Sequence, residues 1–275
     1  VSAILDMTGY NDVTAEAYSV ESVGGSKSCT EAIAKGHAFI GALMNTTDGR
    51  AQLAEEFNVH ASTLATAAGR RNFAGFGVAA FPAQSNDPSC TDPGCNIKLV
   101  CEVMTNTTIG NEVSRLAELR KIQLDSGVLQ LSDDSDSEGS NAVLDYWGYQ
   151  TCTEFGFYQT CEDGTECFFT QGLDLLADND KFCQTDHNIS EAEIQANIDR
   201  SNEFYGGRNP NATRILYPNG EVDPWKSQGI LKAPSADLPV MMVAGASHHA
   251  WTHPSLPTDQ PSVVQARLDI KKQVK

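Results

Sequence analysis

Two loop-borne groups in this chain could do chemistry together. One is Asp223, in Asn219-Gly220-Glu221-Val222-Asp223-Pro224-Trp225; the other is His248 or His249, in Gly245-Ala246-Ser247-His248-His249. A carboxylate that accepts from one imidazole nitrogen fixes the tautomer and leaves the other nitrogen to take a proton from a nucleophile. Asp-Pro also starts ordinary turns, and a single histidine is commonly structural, so the ordered pair counts for more than either residue alone. Such chemistry needs neighbouring loops held by a rigid frame.

That frame is legible just ahead of each loop. Residues 214–217 and 240–244 are short apolar runs bounded by Pro, Asn and Gly, as expected for buried strands of a mostly parallel sheet. Asp223 then follows one strand and the histidines the next, at the carboxyl ends where α/β folds place reacting groups. Acid before histidine along the chain is the order found in α/β-hydrolases, where the nucleophile comes first.

The surrounding residues carry a more specific signal. Asn219-Gly220-Glu221-Val222-Asp223-Pro224-Trp225 resembles the N-G-x-x-D-P-W signature of the prolyl carboxypeptidase and dipeptidyl peptidase II family of serine peptidases, and Gly245-Ala246-Ser247-His248-His249 resembles its His-His loop. Trp147, Tyr149-Gln150, Cys152 and Thr153-Glu154 match that family's W-x-Y-Q-x-C-T-E motif. On composition alone, this aromatic stretch reads simply as core. The resemblance implies that Asp223 and His248 are catalytic, and that a disulfide-rich helical insertion caps a hydrolase sheet. It makes Phe157 and Trp225 walls of the pocket for the residue before the cleaved bond, with Glu154 a polar group nearby. An apolar aromatic slot suits proline, which is rigid and has no donor of its own. The resemblance also implies the bridges Cys152–Cys183 and Cys29–Cys101, leaving Cys90 with Cys95 and Cys161 with Cys167.

The expected fold class is therefore α/β, the C-terminal part of an α/β-hydrolase sheet with a large helical cap. Residues 1–11 are expected as a hydrolase strand segment, 12–208 as the cap, and 209–275 as the segment carrying acid and histidine. Within the cap, helical periods run through 30–43 (Ile33, His37, Ile40 and Leu43, with Ser28 as cap), 49–57, and 111–124 (Val113, Leu116, Leu119 and Ile122). His37 is expected to be a packed helix residue. A last helix is expected over 262–274.

Composition narrows the class. With 40% hydrophobic and 20% charged residues, the 275-residue chain is ordinary for a globular protein. Its net charge of −17 argues against nucleic acid as a partner, since phosphate would be repelled. No apolar run approaches membrane-spanning length. The eight cysteines, even in number and irregular in spacing, indicate disulfides formed in an oxidising compartment, and they lack the tight spacing and histidine partners of zinc sites. Sequons at Asn45, Asn106, Asn188 and Asn211 point to a secreted or lysosomal glycoprotein. The acidic run 132–138 is expected as a solvated loop without the spacing of an EF-hand.

One part of the machinery is not visible. The sequence holds no Gly-x-Ser-x-Gly; the nearest imitation, Gly24-Gly25-Ser26-Lys27-Ser28, precedes a helix without a strand before it, and Ser247 adjoins His248 too closely to present its hydroxyl to that ring. The expectation is a serine exopeptidase that cleaves peptides next to proline, needs no cofactor or metal, and takes its nucleophile from an N-terminal half upstream of Val1. A half-sheet would leave an open edge, so that partner segment is also needed for folding. The alternatives are a fragment, or a catalytically inactive peptidase fold serving in binding or assembly, as a homo-oligomer or polymer. After the histidines, Ala250-Trp251-Thr252-His253-Pro254 departs from the family pattern, which bears on substrate preference.

Overall fold

A computed structural model describes residues 10–129, 141–173 and 175–273. Helices dominate the first three quarters: α1 Tyr10–Ala17, α2 Lys27–Met44, α3 Thr47–Glu56, α4 Ala61–Ala65, α5 Ala67–Asn72, α6 Ile97–Thr105, α7 Glu112–Asp125, α8 Asn141–Gln150, α9 Leu176–His187 and α10 Glu191–Tyr205. Two short strands follow, β1 Tyr217–Gly220 and β2 Val240–Val243, and then α11 Pro261–Gln273.

The main core lies where α2 meets α3, α6 and α7. Ile33 and Ile40 of α2 and Leu116 and Leu119 of α7 are fully buried, and each contributes roughly 1.5–3 kcal/mol of transfer free energy. The helix expected over 30–43 is longer, and its cap is Ser26 rather than Ser28: the Ser26 side chain accepts from the Cys29 N–H. Ser26 precedes the first helical residue, whereas Ser28 already lies in the first turn, where its N–H needs a partner instead. His37 is buried in the stripe, with Nδ1 3.1 Å from Thr170 Oγ1 and its ring against Phe81 and Phe169. Burial lowers its pKa to about 3, so it is a neutral core residue.

Disulfides tie the helical part together. Cys29–Cys101 joins α2 to α6, and Cys152–Cys183 joins the turn after α8 to α9. Cys90–Cys95 and Cys161–Cys167 close short loops. Cys152 and Cys183 pack with Ile194 and Ile198 of α10 into a second, smaller core. A bridge counts for more in a core this small, because few apolar contacts share the work.

The sheet is smaller than the α/β expectation: among the described residues it has two strands, and the chain is mostly helical. β1 and β2 run parallel, with Tyr217 opposite Val240 and Gly220 opposite Val243. The first strand also lies three residues later than the apolar run 214–217. Arg214 adopts a left-handed backbone (φ 61°) and its N–H donates to the Asp237 carbonyl, so the chain turns there before it extends. Pairing, not apolarity, sets the boundary, and it carries Pro218, Asn219 and Gly220 into the strand. α11 packs on β2, with Val263 and Ala266 against Val243 and Ala246.

Tyr10 and Asn11, expected within the strand segment 1–11, open α1, whose Val13, Ala15 and Ala17 face the interior. Residues 1–9, the acidic run 132–138 and Val274 lie outside the described residues. The four sequon asparagines are exposed. Among the described residues no helix is long and apolar enough to cross a membrane.

Candidate active site

The loops after β1 and β2 are held together by their backbones. Glu221 N–H donates to the Val243 carbonyl and Val222 N–H to the Ala246 carbonyl, each at 3.1 Å. Gly220 makes this approach feasible, since a Cβ there would fall 2.4 Å from the Ala246 carbonyl oxygen and 2.6 Å from that of Ser247. Gly245, at φ 65°, makes the turn out of β2 and donates its N–H to Glu221 Oε2 at 2.7 Å. The glycine of the N-G-x-x-D segment thus seats the histidine loop.

This frame brings Asp223 and His248 into contact. Asp223 caps the short 3₁₀ turn Pro224–Gln228, with Oδ1 accepting from the Trp225 N–H at 2.9 Å. Its other oxygen, Oδ2, lies 2.8 Å from His248 Nδ1. The carboxylate side chain is 7% exposed and the imidazole 32%, so the acid is sequestered while the ring reaches a cleft of about 420 Å³. With Nδ1–H directed at Asp223, Nε2 is the nitrogen free to exchange a proton with a nucleophile. His249 points elsewhere: its backbone is left-handed (φ 40°) and its Nδ1 meets Thr252 and His253. Burial first, and then the neighbouring His248, lower its pKa.

Gln84, which no sequence pattern marked, organises the surroundings. Its backbone carbonyl accepts from the His248 N–H at 3.1 Å. Its side-chain Oε1 accepts from Tyr10 Oη at 2.7 Å and from Trp225 Nε1 at 3.0 Å. Burial first, and then the Asp223 charge, push the Tyr10 hydroxyl well above its ordinary pKa, so it stays a neutral donor. Gln84 and Tyr10 lie in stretches without periodicity or motif, and only the fold shows their role.

Trp225 links this pair to a second feature. Its ring stands 5.9 Å from the His248 ring and also packs edge-on against Phe157 (5.1 Å) and Trp147 (5.6 Å). Trp225, Phe157 and Glu154 line one pocket of about 440 Å³, together with Trp147, Phe155 and Tyr205. Asn11 of α1 fixes the Phe157 segment by donating to the Gln159 and Thr160 carbonyls. Ser26 and Ser247 are not placed as nucleophiles: the first caps α2 and the second is buried beside the histidine.

The family model for serine carboxypeptidase S28 matches residues 1–270. The human thymus-specific serine protease is 27% identical over 299 residues, covering 100% of this chain and 56% of that protein. The mouse thymus-specific serine protease is 28% identical over 292 residues, with the same coverage. The bovine lysosomal Pro-X carboxypeptidase is 24% identical over 184 residues, covering 65% of this chain and 35% of that protein. The chain thus spans little more than half the length of the thymus-specific relatives. The match over nearly all of its residues shows that the chain belongs to the serine carboxypeptidase S28 family.

Proposed function

We propose that this chain is the acid- and histidine-bearing part of a serine exopeptidase that cleaves peptides next to proline. The observation that carries the reading is Trp225, whose backbone N–H donates to Asp223 and whose ring, 5.9 Å from that of His248, also lines the aromatic pocket with Phe157. A proline ring seated against Trp225 and Phe157 would set its carbonyl near the imidazole. Family membership and a Pro-X carboxypeptidase among the relatives support this choice of substrate.

In the proposed reaction His248 Nε2 removes the proton from a serine hydroxyl as that oxygen attacks the scissile carbonyl. The imidazolium that forms is stabilised by Asp223 and returns its proton to the leaving amine; water then releases the acyl group by the same route. The serine and the remaining strands of an α/β-hydrolase sheet come from a segment outside the described residues. On this view the helical residues 12–208 cap the sheet, and 209–275 complete it. The four bridges and four exposed sequons support a glycosylated protein of a lysosome or the extracellular space.

The test uses full-length protein and paired peptides that differ only in proline or alanine at the residue before the cleaved bond. Mass spectrometry distinguishes release of a C-terminal residue from release of an N-terminal dipeptide. Preference for proline in kcat/KM of tenfold or more is expected. Equal turnover of both peptides, or of neither, would overturn the reading.

A further inference from the structure

Gln84 bonds to both halves of the site, yet it does not line the aromatic pocket of Phe157 and Trp225. It lines instead the cleft reached by His248. An indole N–H can only donate, so the 3.0 Å contact from Trp225 Nε1 fixes the Gln84 amide with its oxygen toward the tryptophan. The Tyr10 hydroxyl donates to the same oxygen at 2.7 Å, and the two donors together use both lone pairs. The Tyr10 ring stands 6.2 Å from that of Phe157 and 6.0 Å from that of Trp225. Both aromatic walls therefore meet Tyr10, and Tyr10 and Trp225 meet one oxygen of Gln84.

We infer that Gln84 is a positioning residue that sets selectivity for proline, by holding the Trp225 wall at a fixed place relative to the His248 imidazole. The inference rests on the proposed function. The Gln84 carbonyl accepts from the His248 N–H while its side chain accepts from the Trp225 indole, so neither group can shift relative to the other without breaking one of these bonds. Trp225 is tied near its backbone as well, through its N–H to Asp223 Oδ1, but that bond leaves the side-chain torsions free. Packing and the Gln84 oxygen fix them. Without the acceptor, a part-buried indole N–H would lose its partner, and the ring would turn to find another. A wall displaced by about 1 Å no longer seats a proline ring with its carbonyl at the imidazole, and misplacement on that scale is costly in catalysis. Alanine makes little use of the wall, so the loss falls on proline.

The test uses full-length wild type, Gln84→Met and Gln84→Glu with paired proline and alanine peptides, each at the plateau of its own pH profile, with thermal melts as a check on folding. The backbone bond to His248 is present in every variant, so the substitutions isolate the side chain. Methionine has nearly the same length and no comparable acceptor, and glutamate keeps an acceptor oxygen. The proline-to-alanine ratio in kcat/KM is expected to fall roughly three- to tenfold in Gln84→Met, the scale of one lost hydrogen bond, and to be restored in Gln84→Glu. Where Gln84→Met does not fold, Gln84→Asn, which withdraws the oxygen by one methylene, takes its place with the same expectation. An unchanged ratio in the variant without the acceptor, or an equal loss in Gln84→Glu, would overturn the role. If the wild type itself shows no preference for proline, the proposed function fails. Crystal structures of full-length wild type and Gln84→Met then decide the positioning role: a displaced Trp225 ring supports it and an unmoved one overturns it.

Discussion

Asp223 Oδ2 stands 2.8 Å from His248 Nδ1, while Oδ1 of the same carboxylate caps the Trp225 N–H. One side chain thus orients the imidazole and closes the turn that carries the aromatic wall. Asp223→Asn keeps an oxygen for the cap but replaces the carboxylate that stabilises an imidazolium. We expect kcat to fall by on the order of 10⁴, as when a buried triad acid is neutralised, with the melting temperature nearly unchanged. Steady-state kinetics alongside thermal melts would check both halves.

Gly220 lies under the carbonyls of Ala246 and Ser247. Gly220→Ala would force the histidine loop away from the acid, and backbone cannot yield as a flexible side chain would. A destabilisation of about 1–3 kcal/mol is expected, together with a loss of kcat larger than stability alone explains. Denaturant unfolding and kinetics on the same preparation would separate the two.

Phe157 and Trp225 wall the same pocket. Phe157→Ala should enlarge it and remove one face of the slot, reducing kcat/KM for proline peptides about 10–100-fold while alanine peptides lose less. Competition between paired peptides reads the ratio directly. A uniform loss on both would place Phe157 in folding rather than in specificity.

Much of the site was legible because its residues are close in sequence to strong punctuation. Asp-Pro-Trp and the His-His pair sit directly after short apolar runs, so their juxtaposition follows from two parallel strands. The helix stripes of α2 and α7 were legible for the same local reason. Long-range contacts were not: Gln84 meets His248, Trp225 and Tyr10 from a loop with no pattern of its own. The strand boundary also escaped, since Arg214 turns the chain and pairing then selects Pro218-Asn219-Gly220, residues with low strand preference. The Ser26 cap differed from the expected Ser28 by half a turn, a distance that local signals resolve poorly.

His37 is neutral in the core with a pKa lowered to about 3, because burial penalises its charge. Its unfolded pKa is near 6.5, so the unfolded chain binds the extra proton between those values. Its contribution is complete above the unfolded pKa and is lost as pH falls towards the folded one, costing about 2 kcal/mol by pH 5. His37→Leu should flatten the fall in stability between pH 7 and pH 5 by about that amount, despite losing the Thr170 contact. Urea unfolding at the two pH values measures the slope.

The most direct test of the account is active-site labelling of the full-length protein with a fluorophosphonate, followed by peptide mapping, on the wild type and on His248→Gln. One labelled serine, outside the described residues, is expected, with labelling reduced at least a hundredfold in the variant. No label on folded wild-type protein, or equal labelling of wild type and variant, would contradict the claim that Asp223 and His248 activate a serine.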